Sequence, residues 1–291
     1  MTSLALLEAP ELEMPEDLST SVVRGFDPSC FCMDITNDEY HALPDSVSCT
    51  GLKKVLRSPS HYQAYLDGDG SADEGDNLGS AIHAAVLEPD RFAAEYIYYD
   101  GERRGNAWKD FKAENAGKMI QTRAEHAQVK GMCKALMAHT DYPLWLALQK
   151  AQREKSVFWR DEETGVQCRV RFDAIFAPYV TWDLKSTTDA RPSQFVKQAV
   201  RLDYDLQAAM YSEGARRFTG QDIPFVFVAI ETQAPHGIWL HTAGQSMLEN
   251  GRKKFRRALS IYKACTDNQS WPGYTNPSST LEFPRYALLA D

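Results

Sequence analysis

Two aspartates and a lysine that lie close together in the sequence are the residues best suited to do chemistry. Asp173 is followed ten residues later by the triplet Asp183-Leu-Lys185. Carboxylate pairs hold Mg²⁺, a hard cation that prefers oxygen ligands and usually keeps several waters. A nearby lysine can orient or deprotonate a water. This set of groups is suited to metal-assisted hydrolysis of a phosphodiester.

A hairpin would bring these side chains together. The runs on both sides of Pro178 are rich in β-branched and aromatic residues, which predicts two strands and a turn. A hairpin centred on Pro178 places Asp173 opposite Asp183. Because side chains alternate between the faces of a strand, Asp183 and Lys185 share one face and Leu184 points to the other. Ordinary surface hairpins also carry such charges, so the pattern needs support from elsewhere.

A histidine in the middle of a predicted helix gives one such support. The run from Gly79 to Pro89 has recurring apolar residues and ends at a proline, which predicts a helix. A lone histidine among small and apolar neighbours is more often a core residue than a ligand. The neutral ring of His83 is nevertheless a competent metal ligand. Gly79, one turn earlier, would let another backbone or a substrate approach closely.

A second helix carries two side chains that form hydrogen bonds. The run from Tyr204 to Gly214 predicts a helix that Gly214 ends. Gln207 and Tyr211 are four residues apart, so they project from one face. They form either an ordinary polar stripe on a half-buried helix or a pair aimed at a phosphate or at Lys185.

The order of these features resembles the RecB-like branch of the PD-(D/E)XK nucleases. That branch carries a Gly-x-x-x-His motif, an Asp, an Asp-x-Lys and a Gln-x-x-x-Tyr in this order. Within it, the chain is similar to the RecE-type (exonuclease VIII) nuclease domains over roughly residues 48–273, including Glu154–Trp159 and the closing Trp271-Pro-Gly273. The family name suggests a proline before the first aspartate, where this chain has Phe172.

The resemblance implies a role for each residue of the hairpin. His83, Asp173 and Asp183 would ligate the divalent metal, and the Leu184 carbonyl would be a further ligand. Lys185 would position the attacking water or stabilise the charge that develops on the phosphate.

Three further residues have supporting or weaker roles. By the resemblance, Gln207 and Tyr211 would support the lysine and the DNA backbone. Glu154 is a weaker candidate, because a glutamate just before a strand lies on the surface about as often as it meets substrate.

The function that the resemblance implies is a Mg²⁺-dependent exonuclease, with Mn²⁺ as an alternative ion. It would resect double-stranded DNA from a 5′ end and expose a 3′ single strand for a RecT-like annealing protein in phage-type recombination. Family members that are processive form rings, so a homo-oligomer is consistent with it. Two hypotheses stay open: an endonuclease or flap nuclease on branched or single-stranded DNA, and an inert DNA-binding adaptor.

The charge distribution bears on DNA binding. The net charge of −8 disfavours phosphate contacts. Residues 1–45, however, contain ten Asp or Glu and one Arg, net −9, so the other 246 residues carry +1. A basic run on a predicted helix is either a solvated face or a DNA contact. The predicted DNA-binding residues are Arg252, Lys253, Lys254, Arg256 and Arg257.

The rest of the sequence predicts an α/β fold, with a central mixed sheet flanked by helices. Residues 1–45 predict a flexible acidic leader, and residues 46–291 a single nuclease domain. The apolar run Pro224–Ile230 predicts a strand buried on both faces. The six cysteines are dispersed, so neither an iron–sulfur cluster nor a zinc site is expected. No signal sequence or membrane-spanning run is evident, which predicts a cytoplasmic protein without membrane association.

Overall fold

A computed structural model of the protein describes residues 23–43, 46–68, 77–139, 144–275 and 278–282. The strands are β1 Val23–Arg24, β2 Phe31–Met33, β3 Tyr96–Tyr99, β4 Met119–Thr122, β5 Gln152–Arg160, β6 Gln167–Phe176, β7 Val180–Thr187, β8 Phe225–Glu231 and β9 Ile238–Thr242. The helices are α1 Asn37–Ala42, α2 Cys49–Arg57, α3 Pro59–Leu66, α4 Asn77–Leu87, α5 Pro89–Glu95, α6 Gly105–Glu114, α7 Arg123–Met137, α8 Leu144–Lys150, α9 Pro192–Arg201, α10 Tyr204–Thr219 and α11 Gln245–Asn268. None of these helices is long and apolar enough to cross a membrane.

Seven strands form one mixed sheet in the order β1-β2-β5-β6-β7-β8-β9. Strand β7 runs parallel to β8, and every other neighbouring pair is antiparallel. Strands β3 and β4 form a separate parallel pair. The predicted α/β fold with a central mixed sheet is confirmed.

Strand β8 is buried on both faces, as its apolar sequence predicts. Phe225, Phe227 and Ala229 pack in an apolar cluster with residues of α9 and α10. The alternating residues Val226 and Val228 pack in another cluster with residues of α4, α7 and α8. Helices therefore cover both faces of the sheet at this strand.

The β6–β7 hairpin has the predicted register. Ala174 pairs with Trp182, so the register is centred on residue 178 and the next position joins Asp173 to Asp183. On the other side of β6, Lys155 pairs with Phe172, which places Glu154 opposite Asp173. Glu154, Asp173 and Asp183, on three neighbouring strands, therefore form a row of carboxylates across the sheet.

Helix α10 does not end at Gly214, and that prediction is wrong. The helix continues to Thr219, and Gly220 caps it with a left-handed backbone, at φ 75°. A Cβ atom at position 214 would lie 2.9 Å from Val170 Cγ2 and 3.0 Å from the Trp159 ring. Gly214 thus allows the helix to pack closely on the sheet, and a later glycine supplies the turn that ends it.

The predicted flexible leader does not hold for residues 23–43. Strand β2 pairs with β5 at the edge of the sheet, where Cys32 faces Val157. Cys32 is completely buried, and Tyr40 of α1 is almost so. Residues 1–22, 44 and 45 lie outside the described part of the chain. The single domain at 46–291 stays a prediction, and the described sheet extends beyond its N-terminal bound.

Acidic residues of this segment are neutralised by basic residues of the core. Asp34 lies 2.8 Å from the Lys155 ammonium, and Asp27 is paired with the buried Arg217. Composition alone suggests a solvated tail because these partners lie more than a hundred residues away in the sequence.

Candidate metal site

Three side chains that can ligate a metal meet at one end of the row of carboxylates. They are His83 of α4, Glu154 of β5 and Asp173 of β6, and one ligand atom of each lies within 4.8 Å of the others. His83 Nε2 lies 3.0 Å from Asp173 Oδ1, and His83 Nδ1 lies 3.4 Å from Glu154 Oε1. Two carboxylates and an imidazole around a common point are a donor set that suits a divalent cation.

The charges of the cluster depend on one another. Burial lowers the pKa of His83, but the carboxylates of Asp173 and Glu154 outweigh burial and raise it to about 9. Burial opposes ionisation of Asp173, yet the His83 and Lys185 charges hold its pKa below the usual value. In the metal-free protein the His83 imidazolium therefore lies between two carboxyl groups, in the place that a metal cation would take.

Glu154 has a strained backbone. Its φ is 53°, in the left-handed region that residues other than glycine rarely adopt. Its side chain is only 12% exposed, and Oε1 receives no hydrogen bond from any described residue. Strain that holds a buried, unsatisfied carboxylate against a histidine points to function. The sequence makes Glu154 only a weaker candidate because nothing local signals its backbone conformation.

Arg171 holds Glu154 in this position. Its Nε donates to Glu154 Oε2 at 2.6 Å. Its Nη1 donates to the Ile35 carbonyl at 2.7 Å and to Ser156 Oγ at 3.0 Å. The buried Arg171 guanidinium thus connects Glu154 to Ser156, on the same strand as Glu154, and to Ile35, which precedes α1. No local pattern in the sequence marks Arg171 as a site residue.

Asp183 lies next to the three-residue cluster and has different partners. Its carboxylate is 1% exposed and lies 2.5 Å from the Lys185 ammonium. Gln207 Nε2 donates to Asp183 Oδ1 at 2.6 Å. Burial raises the pKa of Asp183 to about 6, although the Lys185 charge opposes the rise. Leu184 between them is buried in an apolar cluster, as strand alternation predicts.

The structure places the other predicted site residues less directly. The Leu184 N–H donates to Asp173 Oδ2 at 2.7 Å, whereas the role of its carbonyl stays a prediction. Gln207 contacts Asp183 and so supports Lys185 only through that carboxylate. Tyr211 packs edge-on against the Phe172 ring, with centroids 5.5 Å apart.

A metal ion fits the residues present. Among the described side chains, two buried carboxylate oxygens at the site receive no hydrogen bond: Glu154 Oε1 and Asp183 Oδ2. The second oxygen is offset by the Lys185 ammonium at 2.5 Å, so Glu154 Oε1 is the orphaned acceptor of the site. Buried acceptors without donors are costly, and a divalent cation satisfies them.

The five basic residues of the run on α11 do not form one unpaired cationic surface. Lys254 pairs with Asp203 at 2.6 Å and with Asp205 at 2.9 Å, and Arg256 pairs with the buried Asp161. The remaining three members are exposed: Arg252, Lys253 and Arg257. Two of the five predicted DNA-binding residues are therefore engaged within the protein.

A mixed sheet that carries this cluster beside an Asp-x-Lys pair is typical of the PD-(D/E)XK nuclease superfamily. The chain matches the family model described as "PDDEXK-like domain of unknown function (DUF3799)" over residues 48–282, and it belongs to this family. No curated protein matches the chain. It is similar to the crystal structure of a protein from Eubacterium rectale that is provisionally described as an exonuclease. The identity is 16% and the TM-score 0.59, and the match covers 87% of this chain and 96% of that one, which shows a shared fold.

Proposed function

We propose that this protein is a metal-dependent exonuclease that degrades double-stranded DNA from its ends, with Mg²⁺ as the ion and Mn²⁺ as a substitute. The observation that carries the proposal is the convergence of His83, Glu154 and Asp173 within 4.8 Å, next to the Asp183–Lys185 ion pair. Membership of the PDDEXK-like family and the provisional description of the structural neighbour support it.

The proposed ligands are the side chains of His83, Glu154, Asp173 and Asp183, with the Leu184 carbonyl as a further one. When bound, the ion supplies Lewis acidity that activates water and offsets negative charge at the phosphate. The carboxylates also exclude other anions from the site, so the phosphate of a substrate is attracted only when cations balance them.

Lys185 acts in this proposal as a fixed positive charge and not as a base. Burial disfavours its charged form, but the carboxylates of Asp183 and Asp173 outweigh burial and raise its pKa above the usual value. The ammonium therefore stays protonated at neutral pH and stabilises negative charge as it develops on the phosphate. Gln207 holds Asp183, and Asp183 in turn orients the ammonium.

The finer parts of the proposal follow from the resemblance to RecE-type enzymes. They are 5′-to-3′ resection, delivery of the 3′ single strand to a RecT-like annealing protein, a ring-shaped homo-oligomer and a cytoplasmic location. An endonuclease or a flap nuclease would use the same groups as an exonuclease, since all three hydrolyse a phosphodiester of DNA.

Digestion of linear duplex DNA, labelled at either the 5′ or the 3′ end, tests the proposal beside a closed circle, with Mg²⁺ and with EDTA. We expect metal-dependent loss of the 5′ label and an intact circle. Nicking of the circle would contradict an exonuclease and favour an endonuclease. Absence of cleavage with any divalent ion would favour an inert DNA-binding adaptor.

A further inference from the structure

A groove lined by cationic side chains leads away from Lys185 on one side of the candidate metal site. It lies between α2, the connection from α9 to α10, and α11, and has a volume of about 960 Å³. Among the described residues, one acidic side chain lines it, that of Asp203. The cationic residues besides Lys185 are Lys53, Lys54, Arg57, Arg201, Lys254 and Arg257.

Two of these cations are already engaged. Lys254 pairs with Asp203 and Asp205. Lys53 donates to the Leu202 carbonyl at 2.6 Å. These two lysines help to hold the walls of the groove together, and the charge of Lys254 is offset by its two carboxylates.

The other four cations have no carboxylate partner within 4 Å in the part of the chain that the structure describes. They come from three separate elements: Lys54 and Arg57 from α2, Arg201 from the end of α9, and Arg257 from α11. Arg57, Arg201 and Arg257 are exposed. Side chains that repel one another are collected along one groove, and its one described acidic residue, Asp203, is paired with Lys254. This is the arrangement of a surface that binds a polyanion.

The opposite side of the metal site has the opposite charge. A second cavity there shares Glu154 with the site and is lined by five acidic residues and three arginines. Arg91 is paired there with Glu88 and Glu95, and Arg171 with Glu154. The third arginine, Arg153, donates to the Gln149 amide oxygen and has no carboxylate partner among the described residues. Most of the unpaired positive charge therefore lies on the Lys185 side.

We propose that the groove binds the backbone phosphates of DNA on one side of the scissile bond, through Lys54, Arg57, Arg201 and Arg257. The identity of the polyanion as DNA rests on the proposed nuclease function. Arg57 donates a hydrogen bond to the Tyr274 hydroxyl at 3.3 Å, but none of the four is paired with a carboxylate among the described residues. Such cations gain most from contact with phosphates, because binding releases the counterions of the DNA and breaks no ion pair in the protein. Of the predicted basic run on α11, only Arg257 belongs to this set.

The test is DNA binding as a function of salt, measured by fluorescence anisotropy of a labelled duplex in EDTA, where cleavage is blocked. The double variant Arg201→Gln/Arg257→Gln removes two groove cations. The double variant Arg252→Gln/Lys253→Gln is the matched control, because it removes the same charge from exposed positions of α11 outside the groove. Thermal unfolding of both variants checks that they are folded.

We expect the groove variant to bind at least about tenfold more weakly than the wild type at moderate salt, and the slope of log K against log salt to become shallower by about 1.8. The control should keep most of the wild-type slope. Equal losses in the two variants would mean that only overall charge matters, and would overturn the groove. So would unchanged binding by the groove variant, or a wild type that does not bind duplex DNA.

This outcome is separate from that of the proposed function. A wild type that binds through the groove but cleaves no DNA with any divalent ion would leave the groove standing and contradict the nuclease. If the wild type cleaves DNA and the groove variant binds DNA normally, the nuclease would stand and the groove would be contradicted.

Discussion

Asp173 and Asp183 lie opposite each other in the register of one hairpin, yet their carboxylates have different neighbours. Asp173 lies 3.0 Å from the His83 ring. Asp183 accepts a hydrogen bond from Gln207 and lies 2.5 Å from the Lys185 ammonium. Burial favours the neutral form of both groups, and the neighbouring charges outweigh it at Asp173, whose pKa is lowered. At Asp183 burial prevails, and the pKa rises to about 6.

Two chemically identical side chains are thus specialised by the residues that surround them. Asp173 has a lowered pKa in a cluster with Glu154 and His83, where we propose that a cation binds in place of the imidazolium proton. Asp183 is tied to the ammonium that we propose faces the phosphate. Variants that act on one side and leave the other unchanged test this division of roles.

Asp173→Asn should have the largest effect. It removes the negative charge that the cluster offers to a cation, so we expect cleavage to fall by about 10³-fold or more. Mn²⁺ binding, measured by calorimetry, should weaken in parallel. Asp267→Asn on the exposed end of α11 is the control with the same charge change. Activity within tenfold of the wild type would remove Asp173 from the metal site.

Lys185→Met should come next, because it removes the ammonium and keeps an unbranched side chain. We expect single-turnover cleavage to fall by about 10²- to 10³-fold, with duplex binding in EDTA changed only a few-fold. Mn²⁺ binding should persist, since the His83, Glu154 and Asp173 ligands remain. Loss of Mn²⁺ binding in this variant would show that the lysine supports the structure of the site instead.

Metal binding should depend on pH through His83. The ring is protonated below its pKa of about 9 in the metal-free protein, whereas a metal ligand must be neutral. Mn²⁺ affinity should therefore rise by up to about tenfold per pH unit from pH 7 towards 9 and level off above it. The same raised pKa stabilises the metal-free fold below pH 6.5, and this contribution is lost as pH rises through 9. In His83→Gln both dependences should flatten; persistence of either would assign it to another group.

Arg171→Lys should have the smallest effect of the four. Lysine keeps the charge but cannot reach Glu154, Ile35 and Ser156 with a planar fork. Because Arg171 acts through Glu154, we expect Mn²⁺ affinity to fall by about tenfold while duplex binding in EDTA is unchanged.

Arg169→Lys is the matched control for this variant. Arg169 is also a buried arginine of β6, but it donates to Ser46 Oγ and not to Glu154. Equal losses of Mn²⁺ affinity in the two variants would mean that general destabilisation of the strand, and not the position of Glu154, is responsible.

Local patterns predicted the hairpin well, because its register depends on alternation and on one turn near Pro178. The strand β8 was predicted for the same reason, since a continuous apolar run is readable without knowing its neighbours. The predictions were wrong where the role of a residue depends on partners that are distant in the sequence. Gly214 is a packing glycine only because Trp159 and Val170 approach it. Phe31–Met33 joins the sheet only because it pairs with β5.

Spacing along the chain places Asp173, Asp183 and Lys185 on one hairpin, so the sequence alone predicts that these three groups meet. Only the tertiary structure decided how they are divided. The left-handed backbone of Glu154 and its contact with Arg171 depend on neighbouring strands, so no local pattern reveals them. The separation of free from paired cations is also tertiary, because an ion pair forms between residues that are close in space regardless of their distance along the chain.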